Sequence, residues 1–477
     1  MGYFIAFYTV FLQKYKFHTM SRKLTYPVDD EAGDIIKRYE SFLEGKAPGY
    51  FDVEELEAIV DYYLRKGKTT DSSRALELGL KLHPASNELK TKRAKIYLVS
   101  GETQKAMHIL EPMSHSGDYE VHLLRIEALS RSSRYKEARL VAEMLVASET
   151  EDIDNICLDI AFIFISQFDF ESALHFLKTG DAFFNKNIDL LYELAFCYEQ
   201  TSENLQAIDT YNRIINIDSY SSEAWFNMGQ VYFAEQDFAN AINAYDFALA
   251  INDNDPLTTL QKAHAHFQNG EYTDAIDTYN EYAKSAIDLW QVHLFIGESY
   301  ERLEQFDKAI EHYNLSLKEL PDNYEALTGL AVCYLEKEDF EKSLAYVQLA
   351  IAADENSADA WVYMAEGLIG LNDIDNALLA YLKAITLDPN QPDTLMAIAN
   401  ICMDKMEYET ALKYYMTAYD LDNTLEHIDL FIAVALCKTG NFKSSKLYLQ
   451  KAIEQNLDAS GLFLELCPEA ILHGIFD

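Results

Sequence analysis

The sequence predicts an all-α solenoid of about twelve helical hairpins, and three observations predict it. Small residues recur at a fixed spacing: Ala75, Ala106, Ala138, Ala173, Ala207, Ala241, Ala275, Ala309, Ser343, Ala377, Ala411 and Ser445. The intervals are 31, 32 and 35 residues and then eight of 34. A period in this range marks stacked supersecondary units, none of which can bury its apolar face alone. Bulky residues keep step with the series. Three positions before it stand Tyr135, Phe170, Phe238, Tyr272, Phe306, Phe340, Ile374, Tyr408 and Phe442, with Asn204 the exception. Four positions after it stand Leu177, Tyr211, Tyr245, Tyr279, Tyr313, Val347, Tyr381, Tyr415 and Leu449. Finally, 18 Gly and 9 Pro in 477 residues are too few turn-formers for a sandwich or propeller, while 49% hydrophobic residues suffice for a packed core.

In chain order, the first element is the apolar run Tyr3–Leu12. It is about half the ~20 residues a membrane span requires. Nothing basic precedes it and Lys14 and Lys16 follow it, so it reads as a poor export signal. Residues 1–23 are expected to be a poorly ordered or mis-assigned extension, with Met20 as the alternative start to Met1. Residues 24–55 form a capping helix and linker. Within them Asp29–Leu43 is amphipathic, with Ile35, Ile36, Tyr39, Phe42 and Leu43 inward and Gly45 as its stop. Asp52-x-x-Glu55 then resembles a capping box.

Three irregular repeats follow over 56–153 and nine regular 34-residue repeats over 154–459. Number each unit so that the recurring small residue is position 20. Positions 4, 7, 8 and 11 then make one helical stripe and positions 20, 24 and 27 a second. Position 8 is small as well: Ala94, Ala161, Ala195, Gly229, Ala263, Gly297, Ala331, Ala365, Ala399 and Ala433. Small residues at 8 and 20 let two helix backbones approach, and turn-prone triplets such as Glu235-Gln236-Asp237 and Asn269-Gly270-Glu271 separate the stripes. Residues 460–477 are read as a last helix, Ser460–Cys467, ended by Pro468, and an apolar tail. In that tail Ile471, Leu472, Ile475 and Phe476 share one helical side. They are expected either to fold back over the open end or to pair with a second copy as a homodimer.

The hairpins resemble the tetratricopeptide repeat. Its W-x2-L-G-x2-Y…A-x3-F…A…P pattern stands nearly intact in Trp225-x2-Met228-Gly229-x2-Tyr232…Ala241-x3-Tyr245-x2-Ala248. Trp361-x2-Met364-Ala365-x2-Leu368…Ala377-x3-Tyr381-x2-Ala384…Pro389 is a second instance, and Pro321 falls at another closing proline. Most units lack that proline. The resemblance implies a right-handed superhelical solenoid of about twelve helix-turn-helix repeats, on the order of 100 Å long with layers ~8–10 Å apart. It also implies that positions 2, 5, 9 and 12 of each first helix line a concave groove.

Charge narrows the function. There are 39 Lys+Arg against 78 Asp+Glu, a formal net of −39. Residues 1–150 hold 22 basic and 22 acidic side chains, whereas 151–400 hold 11 and 44, a net of −33. Nucleic-acid partners and anionic membrane surfaces are disfavoured. Six widely spaced cysteines without a CxxC are expected as small buried hydrophobes in a reducing, cytoplasmic setting. No GxGxxG, P-loop, GxSxG or HExxH is present, and His264-x-His266 puts two imidazoles on different helix faces. The expectation is therefore a non-enzyme with no catalytic residue, no cofactor, no metal and no integral membrane span.

The partner-binding residues expected from the groove are Tyr192, Phe196, Phe226, Gln230, Phe233, Leu260, His264, Phe267, Leu294, Glu298, Glu301, Val362, Glu366 and Asn400. Almost none of the groove positions is basic, which argues against the family's Lys/Asn/Arg clamp for acidic chaperone C-termini. An acidic-rimmed apolar groove suits a protein or peptide segment carrying basic and hydrophobic residues. The alternatives are a self-associating structural subunit and a cell-envelope accessory protein tethered by residues 1–19.

Overall fold

The computed structural model describes residues 30–46, 49–455, 458–468 and 470. Among them every regular element is a helix. Asp30–Leu43 comes first. Five pairs follow: Val53–Arg65 with Thr69–Leu82, Asn87–Val99 with Thr103–Leu110, Tyr119–Arg131 with Tyr135–Ser148, Ile153–Ile165 with Phe170–Phe183, and Ile188–Gln200 with Asn204–Ile217. Ser222–Ala234 and then Phe238–Ile251 follow. The chain divides here into two compact units, the first ending at Gln236 and the second starting at Asp237. Six further pairs lie in the second unit: Pro256–Gln268 with Tyr272–Tyr282, Leu289–Arg302 with Phe306–Glu319, Tyr324–Glu336 with Phe340–Ala353, Ala358–Gly370 with Ile374–Leu387, Pro392–Asp404 with Tyr408–Leu421, and Ile428–Lys438 with Phe442–Gln455. Ala459–Leu466 ends the series.

The turn inside each pair contains one residue in the left-handed region. These are Gly67, Gly101, Ser133, Phe168, Ser202, Gln236, Gly270, Glu304, Glu338, Asn372, Met406 and Gly440, all at φ between 56° and 79°. The next N–H reaches back five residues, as in Glu271 N to His266 O at 2.9 Å and Asp339 N to Tyr334 O at 2.9 Å. This closes the first helix by a Schellman-type bond. The spacing of these residues is 34, 32 and 35 and then eight times 34. It revises the first interval read from the sequence. Ser72, not Ala75, occupies the small position of the first pair, and Ser72 to Ala106 is 34 residues. The remaining irregularities have local causes. Pro112 lacks an N–H, so the second helix of pair two stops at Leu110 and continues only as the 3-10 turn Glu111–Met113. In pair four the turn 166–169 holds four residues where its successors hold three.

The small position is fully buried in every pair: Ser72, Ala106, Ala138, Ala173, Ala207, Ala241, Ala275, Ala309, Ser343, Ala377, Ala411 and Ser445 are all 0% exposed. Where it is serine, the hydroxyl needs an acceptor. Ser72 Oγ donates to Val60 O at 3.1 Å and Ser445 Oγ to Ala433 O at 2.7 Å, each on the facing helix. Ser343 Oγ is buried without such a bond. Position 24 supplies the ring. Tyr313 is 1% exposed and lies against two glycines: a Cβ on Gly297 would stand 2.7 Å from the ring, and one on Gly329 2.4 Å from it.

One further helix stands at each end of the described chain. Ile36 and Tyr39 of Asp30–Leu43 are buried with Phe51, Leu56 and Ile59, while Ile35 and Phe42 are half-buried. Leu43 departs from expectation. It is 45% exposed because the helix ends there, with Gly45 at φ 75° turning the chain away. The capping box forms: Glu55 N donates to Asp52 Oδ1 at 2.8 Å and Asp52 N to Glu55 Oε2 at 3.2 Å. At the far end Phe463 and Cys467 are 0% exposed and pack on Leu430, Val434 and Leu449 of the last pair. The apolar tail, Ile471 to Phe476, and the run Tyr3–Leu12 lie outside the described residues. All six cysteines are buried thiols.

Three substitutions test this packing. Gly329→Ala should lower stability by about 1–3 kcal/mol, because the facing ring belongs to a packed tyrosine that cannot yield. Ser343→Ala should leave stability unchanged or raise it by about 1 kcal/mol, whereas Ser445→Ala loses a buried bond and gains nothing. Denaturant unfolding of the three variants measures both.

Candidate partner-binding face

Positions 2, 5, 9 and 12 of each first helix are those that the pair's own core leaves over. In the first unit Tyr192, Phe226, Gln230 and Phe233 are half-buried there. The Tyr192 hydroxyl lies 2.5 Å from Ser221 Oγ, whose side chain caps the next first helix by accepting from Ala224 N. In the second unit Leu260, His264, Phe267, Glu298, Glu301 and Val362 are half-buried, and Glu366 and Asn400 are exposed. Two expected members belong to the core instead. Phe196 is 6% exposed and packs edge-on to Phe170 at 6.0 Å between ring centroids. Leu294 is 1% exposed and is clustered with Tyr313 and Leu330, so stacking of neighbouring pairs consumes it.

The polar residues of the face are tied to the core through its tyrosines. Tyr211 donates to Glu199 Oε1 at 2.5 Å, and Tyr313 to Glu301 Oε2 at 2.6 Å. Both links join position 24 to position 12, twelve residues earlier. Tyr279 OH lies 2.7 Å from His264 Nδ1, and Tyr415 OH donates to Asn400 Oδ1. These join position 24 to position 9, fifteen residues earlier. The reason is geometric and chemical. A ring at position 24 spans the pair, so its hydroxyl emerges at the first-helix face and must find a partner there. His264 is further held edge-on to Phe295 at 4.7 Å, and burial pushes it down to about 4, so it is neutral at ordinary pH.

Burial also changes the charge of this face. It pushes Glu298 up to about 7, with Glu301 and Glu325 adding repulsion. Glu199 is likewise pushed up to about 7 by burial, against the bond from Tyr211. Glu301 is raised for the same reason, and Glu366, though its surface is exposed, is raised by the desolvating neighbours around it and by Glu336. Glu193, one turn before Cys197 in the same helix as Tyr192, is 7% exposed and pushed up to about 8 by burial and by Glu223. Sequence reading places Glu199 at position 12 of the stripe without selecting it as a partner-binding residue, and Glu193, at position 6, falls outside the stripe. A polar residue twelve or fifteen positions before a repeat tyrosine would have flagged Glu199; Glu193 has no such signal.

Two further groupings lie off the face. His266 Nδ1 is 2.6 Å from Glu271 Oε2, Asn269 Nδ2 donates to Glu271 Oε1 at 2.8 Å, and Asp274 stands nearby. These bonds fasten the turn between the helices of one pair. His293 and His312 meet Nδ1 to Nδ1 at 3.2 Å across another pair. Among the described residues no helix is long and apolar enough to cross a membrane.

Comparison with known proteins gives the family. Models described as tetratricopeptide repeat match residues 222–255, 260–320, 302–367, 358–391 and 392–425. Human tetratricopeptide repeat protein 13 is 26% identical over 109 residues, covering 22% of this chain and 13% of that protein. The BBSome complex member BBS4 of Bos taurus is 21% identical over 223 residues, 46% of this chain and 43% of that protein. The matched stretches thus span less than half the length of either relative. Among solved structures, the APC/C hetero-tetramer Cut9-Hcn1 is 13% identical with a TM-score of 0.40, covering 88% of this chain and 98% of that one.

The buried carboxyls set a pH dependence. A carboxyl whose folded pKa stands above its ordinary 4.5 keeps a proton that the unfolded chain releases. Its contribution is full below that value and is lost as pH rises through about 7 to 8. Lowering pH from 8 to 6 should therefore raise the melting temperature. Glu193→Gln should raise stability at pH 8 by on the order of 1 kcal/mol or more, and with it the melting temperature, and flatten the dependence. Scanning calorimetry against pH decides; a melting temperature that falls from pH 8 to 6 contradicts the assignment.

Proposed function

Because this chain is a tetratricopeptide repeat protein, we propose that it is a non-enzymatic protein-binding scaffold whose first-helix face holds a partner segment bearing basic and hydrophobic residues. One observation carries the reading: of the fourteen residues expected to line that face, none is lysine or arginine, and those reaching solvent are aromatic, aliphatic, amide or carboxylate side chains. Apolar groups give such a segment area to bury, and carboxylates that ionise as it approaches pair with its cations. The fixed tyrosine links add rigidity. Side chains already held by a core hydroxyl lose little freedom on binding, which favours affinity. One relative is by name a member of a multiprotein complex, in keeping with a scaffold role.

The test is cross-linking mass spectrometry on the tagged full-length chain in its native cells. Cross-links should join the first-helix face to partner segments rich in Lys, Arg and large apolar residues. Phe226→Ala in the first unit and Glu366→Lys in the second should each cut recovery of those partners several-fold, with circular dichroism and melting unchanged. Unaltered recovery, or cross-linked segments that are acidic, would overturn the proposal.

A further inference from the structure

The second helices of pairs three and four carry a feature that the first-helix reading does not use. Between Tyr135–Ser148 and Phe170–Phe183, both in the first unit, lies an open recess of about 490 Å³. That volume is in the ~300–1,000 Å³ range of ligand sites. Its floor is Phe176, 1% exposed, and Ile153, 8% exposed. Val146 and Ala147 form one wall and Phe183 the other.

The surroundings are unusually apolar for a solvated face. Leu140 and Met144 stand one helical turn apart and are 57% and 53% exposed, and Phe183 and Phe184 are 63% and 51% exposed. Leu140, Met144 and Ala147 follow the spacing of a single helical stripe. The neighbouring recess, between pairs four and five, shows how such a gap is otherwise filled. There Arg213 Nη1 donates to Asp181 Oδ2 at 3.0 Å, and Lys178 lies 4.9 Å from the centre of the Tyr198 ring. Its charges are matched within the chain.

The apolar recess has no lysine or arginine in its lining. Glu143 stands at one end, 3.2 Å from Arg139 Nε and 3.8 Å from His175 Nε2, and Glu149 at the other. Glu143 is matched by Arg139, whereas no ion pair meets Glu149 among the described residues, so the Glu149 end beside the apolar floor is complementary to a lysine or arginine next to a large apolar side chain. Two facing helices make the groove in which an amphipathic helical segment lies.

We propose that this recess is a second docking site, distinct from the first-helix face, for a segment of another protein that inserts a large apolar side chain flanked by lysine or arginine. The chain then engages two partner segments at once, one through first helices and one through second helices.

The probe is a fluorescein-labelled synthetic amphipathic helix with leucine and phenylalanine on one face and lysine on its flanks, titrated with the full-length chain. Its counterpart carries glutamate in place of lysine. The lysine peptide should give a saturable rise in polarisation and the glutamate peptide none. Ala147→Arg, which fills the recess from an exposed position, should weaken binding at least tenfold. Glu149→Lys, which leaves the packing untouched, should weaken it severalfold and serves if the first variant misfolds. Phe226→Ala should leave this binding unchanged, which separates the recess from the first-helix face. Absence of saturable binding overturns the proposal, as does binding indifferent to Ala147→Arg and Glu149→Lys or lost with Phe226→Ala. A full-length dimer in sedimentation that Ala147→Arg dissociates would also overturn it, by giving the recess to a second copy of the chain.

Discussion

Each helix pair can close only around a position that admits nothing larger than alanine or serine. That steric limit is met at all twelve repeat positions, from Ser72 to Ser445, and each of these residues is fully buried. The rest of the architecture depends on it. With the backbones this close, the ring four residues later spans the pair. Where it is tyrosine, the hydroxyl comes out on the first-helix side. Gly297 and Gly329 around Tyr313 show the limit from the other direction, since either would drive a Cβ into the ring.

The proposed partner-binding face is therefore a by-product of the core's own chemistry. A buried phenol needs a partner, and Glu199, Glu301, His264 and Asn400 supply it from the first-helix side. The same burial holds carboxyls such as Glu298 near neutrality. The formal charge of −39 thus overstates what the face presents at neutral pH and leaves a reserve that an approaching cation can draw out. A substitution at Glu199, Glu301, His264 or Asn400 is therefore also a substitution in the packing.

Much of this was legible in the sequence. Period-34 spacing gave the helix pairs because close backbone approach admits so few residue types, and Asp52-x-x-Glu55 gave its capping box because the reciprocal bonds need those two side chains at that spacing. The first interval was misread because Ala75 is also small and buried; only the left-handed turn at Gly67 reveals Ser72 as the register residue. Turn positions such as Met406 and Phe168 gave no warning, since neither residue favours a positive φ; both side chains are exposed, and the backbone bonds Glu407 N to Cys402 O and Asp169 N to Phe164 O close these turns. On the face, position number alone did not separate surface from core. Phe196 and Leu294 share a stripe with Tyr192 and Glu298, yet contacts from neighbouring helices bury them, and such contacts are not encoded in a one-dimensional period.

The coupling between core tyrosine and face carboxylate is measurable directly. A double-mutant cycle of Tyr313→Phe and Glu301→Gln, read by denaturant unfolding at pH 8, isolates the pair from the two single losses. Groups in direct hydrogen-bond contact should give an interaction energy of about 0.5–3 kcal/mol. Additivity within about 0.3 kcal/mol would contradict the account, because the face would then be independent of the core that is held to position it.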